Sequence, residues 1–173
     1  MDNMLTRKSG LKISTLKEGA GSVPKRGQTV LMHYEIWLGN GTTSSNYDYE
    51  KEEYLDELYD STYDERSPFS GPIEVTIGYE TPKDEIYSKG QSIPGIDEAL
   101  LTMCPGTKVS LLIPANLAYG EEGASSFHTF HGYRTPPGQP IRCNIELVEI
   151  KDRQETENAK TIDSQPENVA YEG

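Results

Sequence analysis

Few side chains in this sequence stand at spacings that do chemistry. His128 and His131 form the string HTFH, with Cys143 downstream. Histidine and cysteine bind zinc, but a tetrahedral site needs a full donor set, and no CxxC pair accompanies these three. The acidic segment 42–66 lacks the fixed oxygen positions and central glycine of an EF-hand loop. No glycine-rich phosphate cradle is present. Cys104 precedes Pro105 at an expected helix end, with no base partner to activate it. Neither a metal, a resident cofactor nor a covalent nucleophile is therefore expected. Tyr119 remains. Tyr119 falls in a loop directly after a strand, where binding is a more natural role than core packing. Asp60 reads equally as a turn residue or a cap.

The elements that must hold these residues centre on Gly90–Gly120. Ile96, Ala99, Leu100 and Met103 recur at i, i+3, i+4 and i+7, one face of a short helix. Pro94 and Gly95 precede it, Asp97 and Glu98 suit its N-terminal dipole, and Pro105-Gly106 ends it. Val109, Leu111 and Ile113 then alternate as a strand closed by Pro114. Ile93 and Ile96 also read as ordinary core contacts of the helix.

Period-two patterns mark the other strands. Leu11 and Ile13 open a short one. Val30, Met32, Tyr34, Ile36 and Leu38 alternate before the Gly39-Asn40-Gly41 turn; Tyr34 here suits a core position. Ile73, Val75 and Ile77 form another, and Ile141, Cys143, Ile145 and Leu147 the last. Several strands and one clear helix indicate an α+β fold. Without helices for repeated crossovers the sheet must be antiparallel, a half-barrel wrapped around one short α-helix.

Further parts frame this core. Residues 1–10 form an N-terminal arm and 11–150 the domain. Residues 151–173 are polar, with little to bury, and read as a disordered tail. Within the domain, residues 42–66 carry nine acidic and two basic residues, so 2 − 9 = −7 of the net charge, and five tyrosines. An acidic Tyr-rich insertion at about 42–58 suits a solvated surface or a partner-docking one. A helical turn near Glu52–Leu58 is compatible with it. A long aromatic loop spans about 120–138, and such loops inside compact domains are usually functional.

A net charge of −12 does not favour nucleic acid or an anionic membrane. No apolar run approaches the roughly 18 residues of a spanning helix. The N-terminus lacks a secretory h-region. Two cysteines are too few for a disulfide framework, so a reducing compartment, the cytoplasm, is expected. A monomer is expected.

Five blocks, in order, resemble FKBP-type peptidyl-prolyl cis–trans isomerase domains. They are Pro24 to Thr29 leading to His33-Tyr34; Tyr59-Asp60-Ser61-Thr62 with Pro68-Phe69; Gln91 to Leu100 with Met103 and Gly106; Ile113-Pro114 through Leu117 to Gly120; and Pro136-Pro137 before Ile145-Glu146-Leu147. The resemblance spans Leu11 to Ile150. It implies an enzyme that accelerates rotation of X–Pro bonds in protein substrates, assisting folding. It also implies walls at Tyr34, Tyr59, Phe69, Ile93, Ile96, Tyr119 and Cys143. Carbonyl donors fall on the Ile93 backbone N–H and the Tyr119 hydroxyl, with Asp60 beside the pocket. Proline-containing proteins or peptides are the implied substrates, and a macrolide the implied ligand.

Four positions depart from that pattern. Ile96 stands where the most active members have Trp. Cys143 replaces a common aromatic, Ser92 a common valine, and Glu65 an arginine that pairs near the aspartate. They favour the alternative, a non-catalytic FKBP-like binding module. Aromatics of the long loop, including Phe127, Phe130 and Tyr133, are candidates to rebuild the altered wall.

Overall fold

The computed structural model describes residues 4–37, 47–48, 53–54, 58–66, 70–78, 92–125, 129–130 and 134–151, with the backbone alone at 47–48, 53–54 and 58–60. Among the described residues, nine strands run along the chain. They are β1 (Leu5–Thr6), β2 (Lys12–Lys17), β3 (Thr29–Trp37), β4 (Tyr47–Asp48), β5 (Glu53–Tyr54), β6 (Leu58–Ser61), β7 (Ile73–Thr76), β8 (Lys108–Ile113) and β9 (Ile141–Ile150). The helix α1 (Pro94–Leu100) lies between β7 and β8. β4 and β5 pair only with each other.

The main sheet is antiparallel, in the order β1-β2-β8-β9-β3-β6, with β7 also on β3. β3 is long enough to hold two partners on one edge. Its first half pairs with β7, from Thr29↔Thr76 to Met32↔Ile73, and its second half with β6, including Ile36↔Asp60. The α+β architecture, an antiparallel sheet with one short α-helix among the described residues, is the expected one. Residues of the N-terminal arm join this sheet: Leu5 pairs with Ile13, and the Arg7 guanidinium donates to the Glu98 carbonyl and the Thr102 hydroxyl.

Alternation along the strands decides what the sheet buries. On β3, Val30, Met32, Tyr34 and Ile36 face inward and are at most 1% exposed, while the residues between them stay half-buried. Ile141, Cys143, Ile145 and Leu147 do the same on β9, and Val109, Leu111 and Ile113 on β8. Each large apolar side chain so removed from water contributes roughly 1.5–3 kcal/mol. α1 covers this face with Ile96, Ala99 and Leu100. It stops at Leu100, short of the expected Met103, because a turn at Leu101–Thr102 intervenes; Met103 is nevertheless buried.

The segment whose sequence is compatible with a helical turn, Glu52–Leu58, is extended where it is described. Tyr47 pairs with Tyr54, Asp48 with Glu53, and Leu58 with Trp37 of β3. Tyrosines favour extended backbone, and clustered like charges oppose a helix. The expected polar loop at Tyr79–Gly90 and the tail beyond its first residue, Lys151, lie outside the described residues.

Candidate functional site

Ile93 sits where extended chain becomes helix. Its φ and ψ of −103° and 158° are those of a strand, and Pro94 follows at the first helical position. Proline suits that position because its missing N–H would have had no helical partner. The Ile93 carbonyl accepts from the N–H groups of Ile96 and Asp97. Its own N–H lies outside the helical ladder. The side chain is 3% exposed and Ile96 fully buried.

Ser92 and Asp97 pin this start from outside. The Ser92 hydroxyl donates to one Asp97 carboxylate oxygen at 2.5 Å, and the Gly78 N–H donates to the other at 3.0 Å. Burial raises the Asp97 carboxyl above its ordinary range, while Ser92, Gly78 and the Arg26 guanidinium draw it back. The family's valine could not make the Ser92 bond. A polar residue there is thus a local strap and not a loss of packing alone.

Tyr119 is set by the end of β8. After Pro114 the chain makes a 3₁₀ turn at Ala115–Leu117. The Gly120 N–H then closes back on the Ala115 carbonyl at 2.8 Å. The Tyr119 side chain is half-buried and packs against the core cluster that holds Tyr34, Ile93, Ile96 and Cys143. Burial pushes its phenol above the ordinary range. The Cys143 thiol, fully buried, is pushed up to about 12. Both groups are neutral at physiological pH, so the apolar floor carries no charge from either.

The long loop returns to this place. Ala124 and Thr135 exchange two backbone hydrogen bonds of 2.9 Å, and the Gly138 N–H reaches the Gly120 carbonyl at 3.0 Å. A Cβ on Gly123 would lie 2.4 Å from the Thr135 carbonyl oxygen, so only glycine permits this closure. Above the closed base, the Phe130 N–H donates to the Tyr119 hydroxyl at 3.1 Å. The Phe130 ring meets Tyr34 edge to face, centroids 5.3 Å apart. Sequence reasoning names Phe130 only among the loop aromatics; its distance along the chain from Tyr34 hides the contact.

Five expected residues therefore come together: Tyr34, Ile93, Ile96 and Cys143 in one buried cluster, with Tyr119 packed against it. Tyr59 and Asp60 are placed by backbone, on β6 beside the second half of β3. Phe69 lies outside the described residues. Thr62 enters the sequence pattern only as the end of a motif. It is 2% exposed, and its hydroxyl accepts from the Tyr34 N–H at 3.0 Å and lies 2.8 Å from His33 Nδ1. Its own N–H donates to the Tyr34 carbonyl, so the end of β6 is tied to the backbone of Tyr34.

Comparison with known proteins identifies the relatives of this chain. Residues 21–148 match the FKBP-type peptidyl-prolyl cis-trans isomerase family. An FK506-binding protein of Neisseria meningitidis is 30% identical over 141 residues, covering 82% of this chain and 96% of that one. The FKBP-type 22 kDa peptidyl-prolyl cis-trans isomerase of Escherichia coli is 30% identical over 142 residues, 82% of this chain and 50% of that one. Among solved structures, the N-terminal domain of FKBP42 from Arabidopsis thaliana aligns with a TM-score of 0.58 at 21% identity, covering 88% and 94% of the two chains, a likeness of fold.

Proposed function

The chain belongs to the FKBP-type peptidyl-prolyl cis-trans isomerase family, and from that premise we propose that it catalyses X–Pro rotation at the cluster of Tyr34, Ile93, Ile96, Tyr119 and Cys143. The observation that supports this reading is that Tyr34, Ile93, Ile96 and Cys143 are buried in one apolar core against which Tyr119 packs, with the Tyr119 phenol and the Cys143 thiol both neutral.

Twisting an X–Pro amide breaks its resonance, against a barrier of about 18–20 kcal/mol. The two planar isomers differ by only about 0.5–1 kcal/mol, so the reaction needs a lower barrier and no driving force. The twisted amide has a less polar C–N unit than either planar form. A floor without charge, with water excluded, binds it preferentially, and only preferential binding accelerates the step. The Ile93 N–H and the Tyr119 hydroxyl hold the carbonyl of the residue before proline, with Ile93 placed by the start of α1 and Tyr119 by the turn after β8. By family resemblance Asp60, Tyr59 and Phe69 are assigned to the same site. Proteins with accessible X–Pro bonds, including folding chains, are the substrates. A macrolide enters the same floor, held less tightly for want of an aromatic at Ile96. The acidic insertion offers a docking surface to a protein partner. The two cysteines are free, which suits work in a reducing compartment such as the cytoplasm.

An X–Pro peptide assay tests the enzyme reading. The wild-type chain is expected to exceed a Tyr119→Phe, Asp60→Ala double variant at least about tenfold, the scale of two lost hydrogen-bonding groups. Equal rates for the two would reduce the site to a binding module.

A further inference from the structure

The long loop makes two contacts with the site through one residue. The Phe130 backbone N–H donates to the Tyr119 hydroxyl at 3.1 Å, and the Phe130 ring stands edge-on to Tyr34 with centroids 5.3 Å apart. Tyr34 comes from β3 and Tyr119 from the turn after β8, so one loop residue joins two walls that the sheet supplies separately. We propose that Phe130 is a positioning residue of the isomerase site, its N–H fixing the Tyr119 hydroxyl and its ring bracing Tyr34.

Three parts of the chemistry and structure suit Phe130 to this role. A phenol oxygen accepts as well as donates, so an N–H on its lone pair leaves the O–H as a donor of fixed direction. A hydroxyl that accepts one hydrogen bond also donates a stronger one. Orientation of this kind is what converts a bound amide into a twisted one at useful rates. The second part is the space around Cys143. That inward position on β9 carries a small side chain, fully buried and near the Tyr119 phenol. The aromatic packing against Tyr34 arrives from the loop. The third part is the anchoring of the loop. The Ala124–Thr135 pair, the Gly138-to-Gly120 bond and the close approach at Gly123 tie both of its ends next to Tyr119.

This inference rests on the isomerase reading, and the test separates the two. Phenyllactate is placed at position 130 of the full chain, which replaces the backbone N–H by oxygen and keeps the ring. Phe130→Ala removes the ring and keeps the N–H. Both are assayed on an X–Pro peptide, in the wild-type background and with Tyr119→Phe. The ester is expected to lower kcat/KM about fivefold in the wild-type background, the equivalent of one net hydrogen bond, and less than about twofold once the Tyr119 hydroxyl is gone. Phe130→Ala is expected to lower it further, with partial rescue by Phe130→Leu. Should the alanine variant fail to fold, the ester, a change of one atom with circular dichroism as control, decides. An active wild-type chain whose ester variant loses nothing, or loses equally in both backgrounds, overturns the proposal alone. So does a Phe130→Ala variant faster than wild type, which would make the ring a cover. A wild-type chain that does not accelerate the peptide at all overturns the isomerase reading and this proposal with it.

Discussion

The Ser92 hydroxyl donates to the Asp97 carboxylate at 2.5 Å, across the first turn of the only α-helix among the described residues. Asp97 thereby strings together three parts of the chain: the segment before α1, the helix itself, and Gly78 just beyond the end of β7. Ile93 lies between the two partners, so the same strap holds the backbone N–H assigned to the substrate carbonyl.

Ser92→Val should therefore cost stability, about 1 kcal/mol for the lost bond. Burial already raises the Asp97 carboxyl in the folded state, so the folded chain holds that proton more tightly than the unfolded one. Stability from this group is present at low pH and falls as pH rises through the folded value. Removing Ser92 raises that value further. The deficit of Ser92→Val in urea unfolding should be larger at pH 7 than near pH 4, about the unperturbed carboxylate value. A deficit independent of pH would mean that Ser92 acts through packing alone.

Gly95→Ala should be among the more damaging small changes. A Cβ there would lie 2.5 Å from Ile113 Cγ2 and 3.3 Å from the Leu117 carbonyl oxygen. α1 could accept alanine only by lifting off β8, an overpacking cost of about 1–3 kcal/mol. The melting temperature reports it, and Ile113→Ala in the same chain should make the second substitution less harmful than it is alone. Additive losses would show that α1 does not press on Ile113.

His33 governs a separate pH dependence on the outer face of the sheet. It stacks on Tyr63 at 4.2 Å, Nδ1 against the Thr62 hydroxyl. Tyr63 in turn donates to Glu146 at 2.7 Å and lies under the Lys108 ammonium, itself paired with Glu35 at 2.8 Å. Burial holds the imidazole below its ordinary value; Glu146 opposes that shift and Lys108 adds to it. A depressed folded value means that stability is complete above about pH 6.5, the unfolded value, and is lost as pH falls through the folded one. Denaturant midpoints should decline over that window in the wild type. In His33→Gln the decline should be shallower, and an unchanged profile would assign it to other groups.

The core of this fold is legible in the sequence because it depends on short-range periodicity. Inward Val30, Met32, Tyr34 and Ile36 follow from a period of two, and Ile96, Ala99 and Leu100 from one helical face. The start of α1 is legible too, since Pro94 and Gly95 act on their own backbone. The segment holding Glu53 and Leu58 is less so, because charge and tyrosine content do not name the strand that will pair with it.

The amino-acid sequence by itself thus determined the α+β class, the short helix α1, the family and the inward periodicity that buries Tyr34, Ile96 and Cys143. Only the tertiary structure decided that two strands share one edge of β3, that Ser92 reaches Asp97, and that Phe130 touches both Tyr34 and Tyr119. The reason is physical. Alternation and capping are properties of neighbouring residues, written wherever those residues stand. A hydrogen bond from a loop to a phenol, or a ring edge on a distant strand, exists only once the chain has closed, and no residue type at position 130 specifies where that closure will bring it.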